Sequence, residues 1–253
     1  MFRHKGKNRT FKHNLRIASL LSFVAGVVNV AGFLAVQQLT TNVTGHFAFF
    51  VEEIYRLNAW RGIVYFLFVF FFFLGSFTSG LLIEWISRKN ERFVFTIPVF
   101  IEIFLLLAVA LSGNFLLENS PSVIAYILLF AMGLQNSLVT MVSNSVVRTT
   151  HLTGLFTDLG IELSQLFFYK ESTQKKKLFS SIKLRLTIIL YFFSGGVFSG
   201  VFYSSLGLYI LFFPIVLLLT GLVYDQMKFR IVTLQRKLRH KNKKTPDDES
   251  GVL

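Results

Sequence analysis

The stretch Thr41-Asn42-Val43-Thr44-Gly45-His46-Phe47 decides the fold, because a second copy of its pattern occurs 109 positions later. The second copy is Thr150-His151-Leu152-Thr153-Gly154-Leu155-Phe156. Each copy follows a long apolar stretch and precedes a less apolar one. A threonine hydroxyl can cap a helix, and glycine allows the backbone to turn. We therefore expect a helix break at each copy, with the threonine capping the helix that follows.

Three further matches surround the two copies and occur in the same order in both halves of the chain. They pair Gly26-Val27-Val28-Asn29 with Gly133-Leu134-Gln135-Asn136, residues 75–80 with 195–200, and Pro98 with Pro214. The offset between partners drifts only slightly, as small loop insertions would cause. The sequence therefore predicts an internal duplication of residues 10–112 and 120–228.

The composition is that of a membrane protein. Of the 253 residues, 53% are hydrophobic and 15% are charged, and the mean hydropathy is +0.58. The apolar residues form runs of about 20, the length that crosses a bilayer as a helix. The chain has no cysteine, which excludes disulfides, cysteine-ligated metals and thiol catalysis. The net charge of +13 lies beside the apolar runs, where it indicates topology and contact with anionic lipid rather than nucleic acid.

The fold class predicted is an all-α, polytopic membrane protein with six transmembrane helices. The expected spans are Leu15–Leu39, Trp60–Ile86, Phe93–Leu111, Ser122–Val147, Ile182–Tyr203 and Leu206–Met227. Between them, 45–57 and 154–168 look helical and amphipathic, and either lie at the interface or enter the membrane as half-helices. All but two of the 26 Lys and Arg residues, Arg56 and Arg61, fall on one side of this arrangement. The positive-inside rule then places both termini in the cytoplasm.

Three spans in each half require the second half to enter the membrane in the opposite orientation. Inverted-topology repeats with a broken helix in each half are typical of secondary transporters. The predicted organisation is a basic cytoplasmic leader at 1–14, a first membrane repeat at 15–112, an external loop at 113–121, a second membrane repeat at 122–228 and a cytoplasmic tail, basic and then acidic, at 229–253.

Glu102 is predicted to lie near the bilayer centre, nine residues from either end of its span. An ionised carboxylate there costs several kcal/mol unless it is paired or protonated. No Lys or Arg is expected at the same depth, so its partner is either a proton or a transported cation. Asn29 and Asn136 are the polar side chains expected to reach it. The alternative is a protonated carboxyl that only hydrogen-bonds a neighbouring helix.

Small and polar residues form one face of the first and of the fourth span. Such a face either lines a pathway or packs helices closely. At the two breaks, free N–H groups of half-helices beginning at Gly45 and Gly154 would favour an anion; the alternative is an ordinary loop with a capped interfacial helix. The predicted pathway residues are Asn29, Thr44, Gly45, Glu102, Asn136, Thr153, Gly154 and Asp158. We expect no catalytic residues, no metal site and no cofactor.

These motifs resemble the YoaK family of bacterial six-span inner-membrane proteins. The resemblance covers about 15–225 and is most specific in the two Thr-Gly phrases and in Asp158-Leu159-Gly160. It implies the six-span fold and a location in the bacterial cytoplasmic membrane, but no particular activity. Family members often have Asp where Asn29 stands and Asn where His46 stands, which weakens the case for a proton relay in the first span.

Three functions are open. The first is a secondary transporter or permease for an unidentified small solute, the second a channel or exporter of the same architecture, and the third a membrane scaffold or assembly factor whose polar faces only pack helices. An enzyme is the least expected class. The expected partners are the lipid bilayer, anionic lipid at the cytoplasmic face and the solute, without nucleic acid; a homodimer is left open.

Overall fold

The described part of the chain is built from helices and turns, without a strand. The computed structural model describes residues 10–88, 94, 96–143, 145–225 and 227. The helices are α1 (Phe11–Val36), α2 (Thr44–Tyr55), α3 (Ala59–Ser87), α4 (Thr96–Asn119), α5 (Pro121–Ser143), α6 (Leu152–Phe168), α7 (Ser172–Leu206) and α8 (212–225). A short 3₁₀ helix, Gly207–Leu211, joins α7 to α8. Most of the predicted leader, 1–9, and the predicted tail, 229–253, lie outside the described residues.

Within the described residues, five helical stretches are long and apolar enough to cross a membrane. They are Phe11–Val36, Ala59–Ser87, Thr96–Asn119, Pro121–Ser143 and Ser172–Asp225. Large apolar side chains on their outer faces are exposed, among them Phe66, Phe73 and Phe104 at 50%, 60% and 68%. A broad apolar surface of this kind suits lipid and not water. The chain is therefore a helical protein embedded in a membrane, as its composition predicted.

Several predicted boundaries differ from the structure. The first helix ends at Val36 and not at Leu39. Residues 113–119, expected in an external loop, are the last two turns of α4. α7 begins at Ser172, ten residues before the expected start of its span. Hydropathy locates apolar segments and not helices, and the Lys and Gln residues at the start of α7 favour a helix without being apolar.

α1 and α7 run parallel with their backbones in contact. A Cβ atom at Gly26 would collide with the carbonyl oxygen of Phe192, and one at Gly195 would collide with that of Phe23. Further along both helices, the side chain of Val30 lies 3.9 Å from the position of a Cβ on Gly200. Only glycine permits this approach, which is how small residues pack helices in membranes.

α3 and α5 also run parallel and in close contact, since Phe68 packs against Tyr126 and Gly80, further along α3, lies near Ser137. A Cβ at Gly75 would collide with the carbonyl oxygen of Phe130, and one at Gly133 with that of Phe72. The hydroxyl of Ser76 also donates a hydrogen bond to the carbonyl oxygen of Gly133, at 3.0 Å. The described helices thus contain two glycine-mediated pairs, α1 with α7 and α3 with α5.

α1 and α5 cross in opposite directions at the centre and bring the two pairs together. The Nε2 of Gln135 donates to the carbonyl oxygen of Leu21 at 3.1 Å, whereas the side chain of Leu128 lies 3.0 Å from the position of a Cβ on Gly32. The earlier contact on α1, at Leu21, thus pairs with the later one on α5, at Gln135, so the two helices are antiparallel. Both are largely buried.

The chain reverses direction between α7 and α8. The rings of Phe198 and Phe213 lie 4.8 Å apart although fifteen residues separate them in sequence. Gly207 has a positive φ of 55°, which glycine adopts without strain. Near the other end of α8, the hydroxyl of Tyr224 accepts a hydrogen bond from Arg16 at 3.1 Å. The start of α1 and the end of α8 therefore lie at the same end of the bundle.

The glycine contacts predict that Gly133→Ala lowers the free energy of unfolding by about 1–3 kcal/mol, because a methyl group there forces α3 and α5 apart. The matched control is Gly160→Ala in α6, where a Cβ would meet nothing within 4 Å. That substitution should leave stability unchanged or raise it by up to about 1 kcal/mol, since alanine favours a helix over glycine. Unfolding in mixed detergent micelles measures both. Equal changes in the free energy of unfolding for the two variants would show that the α3–α5 contact does not require glycine at position 133.

Candidate functional site

After α1 the chain folds back into the bundle. The hydroxyl of Thr41 donates a hydrogen bond to Oδ1 of Asn29 at 2.7 Å, and the hydroxyl of Thr40 donates to the carbonyl oxygen of Val28 at 3.1 Å. α1 continues for seven residues beyond Asn29 before it ends at Val36. The loop therefore returns to the depth of Asn29 before α2 begins at Thr44. Both threonines are buried.

After α5 the chain folds back in the same way. The Nδ2 of Asn136 donates to the hydroxyl of Thr150 at 2.6 Å, and the hydroxyl of Thr149 donates to Oδ1 of Asn136 at 3.1 Å. Gln135 adds a bond from its Nε2 to Thr149 at 3.3 Å. Asn136 again lies seven residues before the end of its helix. An asparagine on the preceding helix thus holds each fold-back loop.

The Thr-Gly phrases do not act as predicted. Thr44 is the first residue of α2 and Thr153 is the second of α6, and the positions that precede the helices, Val43 and His151, make no side-chain cap. Thr41 and Thr150, three residues earlier, make the polar contacts instead. The expectation that Thr44 and Thr153 cap the following helices is therefore wrong.

Gly45 and Gly154 also serve a different purpose from the one expected. Both are helical, and neither has a positive φ. A Cβ at Gly154 would collide with the imidazole of His151, and one at Gly45 would lie 3.0 Å from the side chain of Leu39. The glycines let each short helix pack against its own fold-back loop, and they do not turn the backbone.

His46 is a further site residue, which in sequence stands out only as a departure from the family pattern. It is fully buried, and its Nε2 lies 2.5 Å from the carbonyl oxygen of Leu39. A carbonyl only accepts, so Nε2 carries the proton. The ring also packs against Phe68, with centroids 4.7 Å apart. His46 thus fastens the first fold-back loop, and the Thr-Gly alignment places the apolar Leu155 at the matching position of the second copy.

An ionic cluster fastens α6 to α7. The guanidinium of Arg185 donates to Asp158 through Nη1 at 2.8 Å and to Glu162 through Nε at 2.9 Å. The second oxygen of Glu162 accepts from the hydroxyl of Ser181 at 2.5 Å. Asp158 was predicted as a pathway residue, but Arg185 was not, because it appeared only as one of many topogenic positive charges.

A cavity of about 500 Å³ opens beside this cluster. Its lining includes Arg148, His151, Gly154, Asp158 and Arg185. The volume is within the range that binds small ligands. The structure therefore brings Gly154 and Asp158 together in one polar cavity, with two arginines and a histidine around them.

Glu102 lies apart from these contacts, in the interior of the bundle. Its side chain is fully buried, and neither carboxylate oxygen has a hydrogen-bond partner among the described residues. Asn29 and Asn136, expected to reach it, bond the fold-back loops instead. A buried polar group without a partner costs about 1–3 kcal/mol, and more when it is charged.

Further buried polar atoms share this property. Within the described residues, the hydroxyls of Ser22, Ser79 and Ser199 and Oε1 of Gln135 are enclosed without a hydrogen-bond partner. They belong to four helices, α1, α3, α7 and α5. Several polar atoms in the interior of the bundle could therefore hydrogen-bond a bound molecule. The same described residues contain no group of three His, Asp or Glu side chains placed to hold a metal ion.

Long apolar helices that enclose two polar fold-back loops define a polytopic helical membrane protein. The chain belongs to the family described as protein of unknown function (DUF1275), whose model matches residues 17–224. A search of curated proteins and a search of solved structures gave no significant match.

The hydrogen bonds of the fold-back loops predict unequal effects for two equivalent substitutions. Thr41→Val leaves Asn29 without its only side-chain partner among the described residues and should cost about 1–3 kcal/mol of unfolding free energy. Thr150→Val leaves Asn136 bonded to Thr149 and should cost about 0.5–1.5 kcal/mol. Reversible unfolding in detergent provides the comparison. A larger loss for Thr150→Val would contradict this account of the loops.

Proposed function

We propose that the protein is a secondary transporter for a small solute, with six transmembrane helices in two inverted repeats. The pair of fold-back loops carries this proposal: Asn29 holds Thr41 and Asn136 holds Thr150 at matching positions of the two halves. Discontinuous helices at corresponding places of two repeats are the pattern that transporters use to build a binding site near the middle of the membrane.

The number of six spans follows from dividing the last apolar stretch, Ser172–Asp225, into two. As one helix, its 54 residues would be about 80 Å long, against about 30 Å of hydrocarbon. The turn at Gly207 and the contact between the rings of Phe198 and Phe213 support two antiparallel spans.

The glycine contacts support the inverted repeat. The contact of Gly26 with the carbonyl oxygen of Phe192 corresponds, under the duplication, to that of Gly133 with Phe72. The contact of Gly195 with Phe23 corresponds in the same way to that of Gly75 with Phe130. Each glycine-mediated pair joins one helix from each half, so the two halves interlock. A pseudo-twofold axis in the membrane plane would relate the two pairs.

The orientation belongs to the same proposal. The basic residues place both termini in the cytoplasm of a bacterium, with the protein in the inner membrane. The hydrogen bond between Arg16 and Tyr224 supports a common side for the two ends. Within the family, we propose that the chain groups with the YoaK proteins, which its motifs resemble.

The two fold-back loops would act as the gates for alternating access. In the alignment of the two repeats, Phe49 corresponds to Asp158 and Tyr65 corresponds to Arg185. The rings of Phe49 and Tyr65 pack 5.3 Å apart on the first half, whereas the second half has the 500 Å³ cavity. This difference supports a conformation open toward the cytoplasm. The expected solute route runs from that cavity past Asn136 and Asn29.

Solute flux into proteoliposomes, screened across small ions and metabolites, tests the proposal directly. Uptake that saturates and is driven by an ion gradient supports a secondary transporter. Flux without saturation favours a channel. A complete lack of flux with folded, correctly oriented protein favours a membrane scaffold.

The topology predicts the behaviour of reporter fusions. Fusions after Gly113 and Gly207 should report the periplasm, and fusions after Gln174 and Leu253 the cytoplasm. Alkaline phosphatase and green fluorescent protein fusions provide the two readouts. A cytoplasmic signal after Gly113 would overturn both the six-span model and the inverted repeat.

Glu102 is proposed to carry a proton or to bind the coupling cation. Glu102→Gln should reduce pH-driven uptake at least tenfold, because the amide does not titrate. Exchange of solute between two pools should survive, since it needs no net proton movement. Glu84→Gln, which alters an exposed carboxylate on α3, is the matched control and should leave uptake unchanged. Unaltered pH-driven uptake in Glu102→Gln would assign this carboxyl a structural role only.

A further inference from the structure

A groove of about 700 Å³ lies where the start of α1 meets the start of α7. Four lysines line it, Lys170, Lys175, Lys176 and Lys183, together with the rings of Phe11 and Phe179. Its lining contains no Asp or Glu, and none of the four lysines forms a side-chain ion pair with a described residue. Among the described residues, the groove thus gathers positive charge without a carboxylate in its lining.

Helix geometry concentrates this charge on one face of α7. Residues three and four apart share a face of a helix, which brings Lys176, Phe179 and Lys183 together. Lys177, which directly follows Lys176 in sequence, carries the same charge but does not line the groove. The positive-inside rule depends only on which side of the membrane the charges lie. It does not require that they share one face of the helix.

The groove lies at the depth of lipid headgroups. Phe11 precedes Ile17, the first buried residue of α1, by six positions, and Phe179 precedes Leu186, where the uncharged stretch of α7 begins after Arg185, by seven. At 1.5 Å per residue these distances are roughly 10 Å. Headgroups occupy roughly 5–8 Å on each side of the hydrocarbon. On the same scale Lys183 lies about 5 Å from the hydrocarbon, within the headgroup layer, and Lys176 lies about 15 Å from it, on the aqueous side of that layer.

We propose that this groove binds the phosphate headgroup of an anionic phospholipid from the adjacent leaflet. Lysine ammonium groups act as point charges toward phosphate oxygens, and basic pockets at this level of membrane proteins suit such headgroups. Phe179, which is 58% exposed, offers an apolar surface to the glycerol and upper acyl chain. Bound phosphate relieves the repulsion among the lysines at the start of α7. This site is independent of the proposed transport.

The test uses the full chain in neutral detergent and measures binding of phosphatidylglycerol and cardiolipin, with phosphatidylcholine as the neutral lipid. Lys176→Gln combined with Lys183→Gln should weaken binding of the anionic lipids roughly 25-fold, from about 1 kcal/mol for each lysine and 1.4 kcal/mol for each tenfold. The control combines Lys12→Gln with Lys177→Gln, which removes two charges at the same end but outside the groove. It should change affinity less than threefold. Equal losses in the two variants, or equal binding of phosphatidylcholine, would overturn the proposal.

A second comparison separates a lipid from a free phosphate. Phe179→Ser should weaken the binding of phosphatidylglycerol but leave the binding of inorganic pyrophosphate unchanged, because only the lipid has an apolar part. Pyrophosphate should bind at least tenfold more weakly than cardiolipin. If pyrophosphate binds more tightly than either lipid, the groove is a site for a soluble anion, and the lipid proposal is wrong. Thermal unfolding of each variant confirms that the exposed substitutions leave the fold intact.

Discussion

Backbone contact at glycine is the interaction on which the rest of this structure depends. In hydrocarbon the hydrophobic effect does not drive helices together, so close packing has to do so. Gly26 and Gly195 bring α1 onto α7, and Gly75 and Gly133 bring α3 onto α5. One helix of each pair, α1 and α5, then packs against the other at the centre of the bundle. The central crossing in turn encloses the loops that follow α1 and α5, where polar groups would otherwise face lipid.

The enclosed loops are held by different chemistry at the two ends of the bundle. Both use an asparagine and a threonine, but the first adds the buried imidazole of His46 and packed aromatic rings. The second is followed by a short helix tied down by Arg185, Asp158 and Glu162. Salt screens the second arrangement and hardly affects the first. The two short helices therefore respond differently to their surroundings, although they occupy equivalent places.

The sequence was a good guide to features that depend on local pattern. Hydropathy located the apolar helices, and the repeated glycines marked the positions that later proved to be contacts. It did not show that Gly26 meets Phe192, because partners so distant in sequence are set by tertiary packing. Thr44 was assigned a capping role from its residue type, whereas the loop geometry gives the polar contacts to Thr41. The burial of Glu102 was predictable from its surroundings in sequence; its lack of a hydrogen-bond partner among the described residues was not.

The order of the helix pairs has a consequence for biosynthesis. α1 emerges from the ribosome first, but Gly195, which it contacts, follows 169 residues after Gly26. At about 5–20 residues per second, α1 waits roughly 8–34 s in the bilayer before its partner exists. During that time its glycine face is covered only by lipid or by the insertion machinery. A folding intermediate in which the glycine face of the first helix has no partner is thus built into the topology, and membrane insertases or chaperones that shield this face would govern the yield of native protein.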